Sequence, residues 1–439
     1  MTDERALCWQ LLLPRDAVYE TSGAPAWLTS LLNTEDLEDR PRVRVAWGED
    51  AVTDGPMHNL EGLVVFNAAP SILQLRQWGF QYVRQYIALP SLQDVRWLLP
   101  VDHGTLAAAS TTIPHPHRRA ARLQRLVLML LLKAGRLQTR SRLITVAAKR
   151  QPAIVRSFER LFPGLTFDLS ISAGTPGPMR KPTVACFDRN GTPLAFAKVA
   201  TTPAAEALIH NEAAVLRHIE SEPRLRGIAP RLLAETTCDG RATVVQSVLT
   251  GRLAPVTLGE AHRDFLSALE SDATYSVAAQ PFVRALLDRL RWQPGIADEC
   301  RPVVEDAVRA LAGTLLPSTL MHGDFAPWNL RVQDDAIRAF DWEYGVVDGL
   351  PGLDELHHVW QTRTLLDKQE PALVVQALDA LAITLPIGLD AKQARALVSL
   401  YLAHGLIHRF KLGCDDADPL VQSYRAALRG RPVMRAVLV

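Results

Sequence analysis

Beyond residue 162 the hydrophobic pattern is first typical of β-strands and then, over a long stretch, typical of α-helices. Few folds place a small sheet before a large helical region in this way. Strand-like runs occupy residues 165–199 and recur at 242–248, with one helical segment between them. From about residue 251 to the C-terminus, apolar residues recur at helical spacing. We therefore predict an α+β fold with a small β-rich lobe at about 165–250 and a helical lobe at about 251–439.

The first 160 residues are organised differently. Short β-like runs at 43–47 and 62–67 precede a helical stretch at 71–78, a mixture typical of α/β structure. A length of 439 residues is enough for two or three compact units of roughly 150 residues each. We predict two domains: a smaller α/β domain of unknown role at 1–160, and a second domain at 161–439.

Charge and cysteine content exclude several classes of protein. The 48 basic residues nearly balance the 47 acidic residues, so binding of nucleic acid through overall positive charge is not indicated. The five cysteines have no C-x-x-C spacing, which argues against a disulfide scaffold and against a zinc knuckle. We therefore expect reduced thiols, a cytoplasmic location and no specific nucleic-acid partner.

No segment has the character of a secretory leader or of a membrane span. The N-terminus carries acidic residues before its short apolar run, unlike a signal peptide. The longest apolar block, 126–132, is bounded by Arg125 and Lys133 and is far shorter than the roughly 20 residues that a span requires. We therefore expect no transmembrane segment.

Residues 103–158 form a basic segment without any acidic residue. It contains eleven lysines and arginines, namely Arg118, Arg119, Arg122, Arg125, Lys133, Arg136, Arg140, Arg142, Lys149, Arg150 and Arg156. Its centre, 117–138, predicts a helix that is apolar in the middle and basic at both ends, with Gly135 as the stop signal. Two interpretations remain open. The helix is either a core helix with solvated ends, or a surface that meets anionic lipid head groups or another anionic polymer and makes the protein peripheral to a membrane.

The segment 321–330, MHGDFAPWNL, carries the spacing H-x-D-x-x-x-x-N in His322, Asp324 and Asn329. Transfer of a phosphoryl group from a nucleotide to an alcohol requires a carboxylate at the attacking hydroxyl and oxygen ligands that hold magnesium on the phosphates. A short loop that holds Asp and Asn five residues apart supplies both kinds of group. We expect His322 to have a structural role, forming hydrogen bonds within the loop.

A second acidic motif, IRAFDWEYG, follows the first. A predicted strand at 337–340 places Asp341 at its end, and Glu343 lies two residues further on. Residues i and i+2 of an extended segment point the same way, so both carboxylates can face the phosphates. We expect Asp341 to be a magnesium ligand, while Glu343 either contacts metal or water or serves the structure of the loop.

These two motifs together resemble those of the aminoglycoside phosphotransferase and choline kinase family, the small-molecule branch of the protein-kinase-like fold. The resemblance covers about Phe167 to the C-terminus. It implies a two-lobed kinase domain in which Asp324 is the catalytic base and Asn329 and Asp341 bind Mg²⁺. It also implies ATP or GTP as the phosphate donor.

The resemblance implies a strand lysine on the phosphates, paired to a glutamate of a following helix. Lys198 lies in the apolar run LAFAKVA, where a charge is unfavourable unless it is used. Thr202 and Pro203 then signal a helix start. Glu212 shares the apolar face of that helix, so we predict that Lys198 and Glu212 form an ion pair and take part in catalysis.

Two further segments gain a role from the resemblance. The turn before Lys198 contains Gly174 and Gly177 and becomes the expected nucleotide-covering loop, although its prolines depart from a G-x-G-x-x-G pattern. The stretch ATVVQSVLTGRL resembles the linker between the lobes, where backbone groups near Gln246 and Val248 would meet the adenine.

The remaining polar candidates carry structural predictions. Asp354 resembles the aspartate that begins the next helix of the family, and we expect it to cap that helix and anchor the loop. The pairs His357 and His358, and His404 and His408, have no third ligand at a diagnostic spacing. We therefore predict that these four histidines pack between helices.

The leading hypothesis is a magnesium-dependent kinase that moves the terminal phosphate of ATP or GTP to a hydroxyl of a small molecule or glycan. The alternative is a nucleotide-binding pseudokinase or scaffold that acts through the N-terminal basic segment. Protein kinase activity is disfavoured because His322 is followed by Gly323 instead of Arg, and because Asp341 is followed by no evident activation segment.

Overall fold

The computed structural model describes residues 8–34, 39–49, 52, 57–101, 106, 109, 119–175, 177–292 and 294–431. Contacts divide the chain into two compact units. Unit 1 comprises Met1–His210 and Leu232–Val248, and unit 2 comprises Asn211–Arg231 and Leu249–Val439. The described residues contain both a large sheet and many helices, so the predicted α+β class is confirmed.

Unit 1 is built on one sheet of eleven strands. The strands are β1 (Val18–Ser22), β2 (Arg42–Trp47), β3 (Gly62–Phe66), β4 (Tyr82–Pro90), β5 (Val95–Pro100), β6 (Leu143–Ala148), β7 (Phe167–Ser172), β8 (Thr183–Asp188), β9 (Pro193–Val199), β10 (Leu232–Cys238) and β11 (Arg241–Ser247). Their order across the sheet is β1-β2-β3-β6-β4-β5-β7-β8-β9-β11-β10. The pairs β1–β2 and β2–β3 are parallel, and all the other pairs are antiparallel.

The sheet continues across the boundary that we predicted between residues 160 and 161. Strand β5 pairs with β7 through Trp97 opposite Ser172 and Leu98 opposite Ile171. Strands from both sides of the boundary therefore share one backbone ladder inside unit 1. The two-domain division at this position stays a prediction.

The helices of the first half are α1 (Ala26–Thr29), α2 (Ile72–Gln77), α3 (Arg119–Lys133) and α4 (Ala153–Leu161). Helix α5 (Pro203–Ser221) contributes residues to both units. It begins where the sequence predicted, because Oγ1 of Thr202 accepts a hydrogen bond from the amide of Ala205 at 3.1 Å.

The basic segment has two different structural parts within the described residues. Strand β6 lies between β3 and β4, and all six of its residues are buried. Helix α3 instead exposes much of its apolar side. Its exposed large apolar residues are Leu123, Leu126, Val127, Leu130 and Leu131. The predicted helix is therefore confirmed, whereas residues 103–105, 107–108 and 110–118 of the segment lie outside the described residues.

Unit 2 is mainly helical. Its helices beyond α5 are α6 (Glu260–Ala268), α7 (Pro281–Trp292), α8 (Pro294–Ala310), α9 (Leu353–Gln361), α10 (Pro371–Thr384), α11 (Ala391–Lys411) and α12 (Pro419–Arg429). Two three-stranded sheets complete it: β12 (Arg252–Leu253) with β15 (Leu330–Gln333) and β16 (Ala336–Ala339), and β13 (Glu270–Ser276) with β14 (Leu315–Met321) and β17 (Val346–Gly349). Its core gathers apolar side chains of α7 to α12 around the buried rings of Trp360, Tyr401 and Tyr424.

Among the described residues, no helix combines the length and the apolar character that crossing a membrane requires.

Candidate active site

The loop after β14 is held in shape by its own histidine. His322 is fully buried. Its Nε2–H donates to the carbonyl of Phe340 at 3.0 Å, and its Nδ1 accepts from the amide of Asp324 at 3.2 Å. This pattern corresponds to the neutral tautomer with the proton on Nε2. The ring therefore joins the loop to the segment that follows β16.

Asp354, at the start of α9, accepts hydrogen bonds from the backbone amides of the first two loop residues. Its carboxylate oxygens lie 2.6 Å from the nitrogen of His322 and 3.0 Å from that of Gly323. Burial raises the pKa of Asp354, and these hydrogen bonds partly oppose that effect. Gly323 has φ +79°, and a Cβ there would lie 2.4 Å from the carbonyl oxygen of Tyr344. The loop can pass this close to the 342–344 turn only because residue 323 is glycine.

The side chains of Asp324 and Asn329 are in direct contact. Nδ2 of Asn329 donates to the backbone oxygen of Asp324 at 3.0 Å and to its Oδ2 at 2.8 Å. The short 3₁₀ turn Pro327–Asn329 brings the amide back towards the aspartate. With Nδ2 engaged in this way, Oδ1 of Asn329 is the atom that remains able to act as an oxygen ligand.

His357 is a site residue that the sequence analysis missed. We predicted that it packs between helices, but its Nε2 lies 3.0 Å from Oδ1 of Asp324. Its Nδ1 lies 3.2 Å from the hydroxyl of Tyr401, which in turn lies 3.2 Å from the hydroxyl of Tyr424. A chain of polar groups therefore runs from Asp324 into the helical core. His358, in contrast, is fully buried and contacts the carbonyl of Val256, which agrees with the structural role that we predicted for it.

Three carboxylates gather beside this loop. Ligand oxygens of Glu212, Asp341 and Glu343 lie within 4.8 Å of one another, and Glu212 and Glu343 are buried. We expected Asp341 and Glu343 to share a direction because their segment is extended, and that reason is wrong. Asp341 is left-handed at φ +73° and opens a 3₁₀ turn, Trp342–Tyr344, which folds Glu343 back to the cluster.

Helix α5 is fastened to the same turn by an amide side chain. Nδ2 of Asn211 donates to the carbonyls of Glu343 and Gly345, at 2.9 and 3.0 Å. Glu212 is the next residue of the helix. Its carboxylate is thereby brought to Asp341 and Glu343, a grouping that the sequence analysis did not anticipate because it assigned Glu212 only to Lys198.

The residues predicted for the nucleotide lie in unit 1. Lys198 is half-buried on β9, in register with Thr183 and Val244. Because Lys198 belongs to unit 1 and Glu212 to unit 2, their ion pair stays a prediction. Gln246 is buried near the end of β11, and Val248 follows that strand, where unit 1 ends.

The predicted nucleotide-covering loop joins β7 to β8 and is tied to the start of α5. Gly174 has φ +75°, and a Cβ there would meet the carbonyl oxygen of Lys181 at 2.4 Å. The hydroxyls of Thr201 and Thr202 donate to the carbonyls of Arg180 and Pro178, each at 2.7 Å. Gly177 has φ +135°. Within the described residues, the two sides of the loop therefore approach each other closely, and its second half is hydrogen-bonded to the start of α5.

Residues 187–363 match the family model described as the phosphotransferase enzyme family. The matched segment includes β9, the loop after β14 and the carboxylate cluster, so the predicted resemblance is confirmed over those residues. No curated protein matches the sequence.

Solved structures of aminoglycoside phosphotransferases are similar to part of the chain. A thermostable mutant of APH(4)-Ia, in a ternary complex with ADP and hygromycin B, is 14% identical and aligns over 63% of this chain and 98% of its own, with a TM-score of 0.43. APH(3'')-Id from Streptomyces rimosus is 15% identical over 56% and 96%, with a TM-score of 0.37. The GDP complex of aminoglycoside 2'-phosphotransferase-IIIa is 13% identical over 63% and 96%, with a TM-score of 0.38.

Proposed function

We propose that this protein is a kinase that transfers the terminal phosphate of ATP or GTP to a hydroxyl of a small molecule or glycan in the cytoplasm. The observation that carries the proposal is the orientation of Asp324, whose two carboxylate oxygens are held by Asn329 and His357 at 2.8 and 3.0 Å. A carboxylate held in this way suits the acceptance of a proton from an attacking alcohol. The family match over 187–363 supports the same chemistry.

In the proposed reaction, the acceptor oxygen forms a bond to the terminal phosphorus of the nucleotide. The bond between that phosphorus and the bridging oxygen of the diphosphate breaks, and the nucleoside diphosphate leaves. The hydroxyl proton passes to a carboxylate oxygen of Asp324. Lys198 and the loop containing Gly174 and Gly177 are the proposed phosphate contacts, and the backbone near Gln246 and Val248 is the proposed adenine contact.

Magnesium is the proposed metal, and the donor set suits it. Carboxylate oxygens are the ligands that Mg²⁺ prefers, and those of Glu212, Asp341 and Glu343 lie within 4.8 Å of one another. We propose Asp341 and Asn329 as ligands, with Glu343 and Glu212 completing or supporting the site. When bound, the ion would neutralise charge on the phosphates.

The test is ADP or GDP release by the full chain, with Mg²⁺, against sugars, amino alcohols, aminoglycosides and lipid-linked glycans. Asp324→Asn should abolish turnover while nucleotide binding survives, because it removes the proton acceptor and leaves the carboxylate cluster intact. The control is Asp272→Asn, an exposed carboxylate on β13. Wild-type turnover by Asp324→Asn would overturn the proposal, and nucleotide binding without turnover of any acceptor would favour the pseudokinase alternative.

We further propose that α3 brings the protein to an anionic lipid surface. Its exposed side carries the five apolar residues named above, among them Leu126 at 55% and Leu130 at 58% exposure. The exposed Lys133 and Arg136 follow at its C-terminal end. Apolar side chains beside basic ones suit the boundary between acyl chains and anionic head groups.

Co-sedimentation of the full chain with vesicles of phosphatidylserine and phosphatidylcholine tests this surface. We expect binding that weakens with salt, is absent from pure phosphatidylcholine, and is lost in the double variant Leu126→Asp and Leu130→Asp. Leu73→Asp, at a leucine of α2 that is 69% exposed, is the control and should bind normally. Binding that is unaffected by the double variant, or self-association through α3 without vesicle binding, would contradict the proposal.

A further inference from the structure

A group of basic side chains borders the proposed active site through the ring of Tyr344. The ring of His408 meets that of Tyr344 edge to face, with centroids 4.8 Å apart, and the ring of His404 lies 5.7 Å from that of His408. Tyr344 directly follows Glu343 in the 3₁₀ turn Trp342–Tyr344, beside the carboxylate cluster. Tyr344 therefore connects the turn that carries Glu343 with His408.

Two helices bring further cations to these histidines. The rings of Phe282 on α7 and His404 on α11 lie 4.9 Å apart. Arg289 follows Phe282 by seven residues and Lys411 follows His404 by seven, so each lies two turns further along the same helical face. The contact between Phe282 and His404 places these two faces together, and, in addition to burial, the charge of Arg289 lowers the pKa values of His404, His408 and Lys411. We call Arg289, His404, His408 and Lys411 the cation cluster.

The two long cationic side chains of the cluster are not paired with a carboxylate within the described part of the chain. Neither Arg289 nor Lys411 forms an ion pair with any described residue. Burial lowers the pKa of His408 to about 3, and the positive charges of Arg289 and Lys411 add to that effect. At neutral pH the histidines are therefore neutral, and the two long side chains carry the charge.

Burial also lowers the pKa values of Arg289 and Lys411, so the fold holds these charges at some cost. Cations are common in the last turn of a helix, where the helix dipole favours them, and both residues occupy such positions. The dipole accounts for each residue separately. It does not account for their convergence beside His404 and His408, which are only half-buried.

We propose that the cation cluster binds an anionic group, a phosphate or a carboxylate, on the acceptor whose hydroxyl is phosphorylated. The inference rests on the proposed kinase function and names its substrate class. Arg289 offers the planar fork that recognises carboxylate and phosphate oxygens, and the exposed Lys411 offers a point charge at the solvent side. The neutral imidazoles add ring nitrogens that can donate hydrogen bonds. Cationic acceptors such as aminoglycosides are repelled here.

The test compares matched acceptors with the full chain, Mg²⁺ and ATP or GTP. Glycerol is compared with glycerol 3-phosphate and glycerate, and glucose with glucose 6-phosphate, gluconate and glucosamine. Binding of glycerol 3-phosphate and of inorganic phosphate is measured in parallel by calorimetry. The variants are Arg289→Gln and Lys411→Gln, and the controls are Arg284→Gln and Lys392→Gln, which alter exposed cations of the same two helices.

We expect the anionic member of a pair to be preferred at least tenfold in kcat/KM or in affinity. Arg289→Gln and Lys411→Gln should each reduce that preference about tenfold without changing the KM for nucleotide, and the controls should not. If the wild type binds the anions, the two variants lose that binding, and no compound is turned over, the anion-binding inference is supported and the proposed kinase function is contradicted. Turnover of neutral or cationic acceptors that is unaffected by the variants would keep the kinase and overturn the inference, as would anion binding that the variants leave unchanged.

Discussion

Nε2 of His357 lies 3.0 Å from Oδ1 of Asp324, on a carboxylate whose other oxygen accepts a hydrogen bond from Asn329. Both oxygens are therefore oriented before any acceptor arrives. The hydroxyl of Tyr401 contacts the other ring nitrogen of His357 and fixes the plane of the imidazole. His357 thus acts on the proposed proton acceptor through hydrogen bonding, as a positioning residue.

Replacing His357 should reduce the rate more than substrate binding. We expect His357→Phe to lower kcat about 10- to 100-fold with little change in the KM for nucleotide, because groups that orient a reactive ligand typically contribute that much. His357→Gln, which can still donate a hydrogen bond, should recover part of the loss. Steady-state kinetics at saturating acceptor provide the measurement.

Tyr401→Phe is the matched control for this prediction. It keeps the buried ring but removes the hydroxyl that contacts His357, so we expect a smaller loss of kcat than in His357→Phe. Equal kcat in His357→Phe and wild type would show that the contact has no role in turnover. An equal loss in His357→Phe and His357→Gln would argue against orientation by hydrogen bonding.

Gly323→Ala should destabilise the protein more than Gly313→Ala, although both replacements place alanine at a left-handed backbone position. Gly323 and Gly313 have similar φ values, +79° and +85°, but only the Cβ at 323 would meet backbone atoms. We expect Gly313→Ala to lower the free energy of unfolding by about 1 kcal/mol. Gly323→Ala should lower it by several kcal/mol and abolish turnover. Urea unfolding of both variants checks the difference, and similar losses would contradict it.

Asp341→Asn should separate metal binding from folding. Asparagine tolerates the left-handed backbone at φ +73°, so the exchange removes charge without new strain. We expect nucleotide affinity in Mg²⁺ to fall at least tenfold, and affinity in EDTA to equal that of wild type. Asp335→Asn, at an exposed left-handed position, is the control for calorimetry. Equal Mg²⁺ dependence in Asp341→Asn and wild type would exclude Asp341 as a ligand.

Glu355 should make stability depend on pH. Burial raises its pKa from 4.5 to about 7, with the charges of Asp354 and Glu270 adding to the effect. The folded state then binds the proton more tightly than the unfolded state between these two pH values. The free energy of unfolding should therefore fall as pH rises from 4.5 to 7, by at most about 3 kcal/mol, and level off above.

Glu355→Gln removes this contribution to the pH dependence of the free energy of unfolding, because glutamine does not titrate. The variant should match wild type near pH 4.5 and exceed it in stability at pH 8, as measured by urea midpoints at both pH values. Glu305→Gln, at an exposed position of α8, should show no such divergence. A constant difference between Glu355→Gln and wild type across this range would rule out the raised pKa.

The local parts of the fold and site were predictable because their signals lie within a few residues. Asp324 and Asn329 meet through a single turn, and the hydroxyl oxygen of Thr202 accepts a hydrogen bond from the amide three residues further along the chain. The conformation after Asp341 was not predictable in the same way. An apolar strand followed by an acid does not encode a left-handed residue, so extended geometry was the default expectation.

The contact of His357 with Asp324 spans 33 residues and follows no spacing rule. One signal was present: His357 lies three residues after Asp354, on the same face of α9, and the sequence analysis had assigned Asp354 to the loop. The pairing of β5 with β7 had no local signal, because strand partners are set by the register of distant segments.

The backbone ladder between β5 and β7 also bears on how the chain can unfold. A fragment that begins at residue 161 would leave the β7 edge without its partner, and an unprotected strand edge is a template for aggregation. Strands β1 to β11 should therefore lose hydrogen-exchange protection together, as one cooperative unit in which the N-terminal strands stabilise the strand that carries Lys198. Substitutions in the first hundred residues can thereby lower the proposed kinase activity by raising the population of a locally opened sheet.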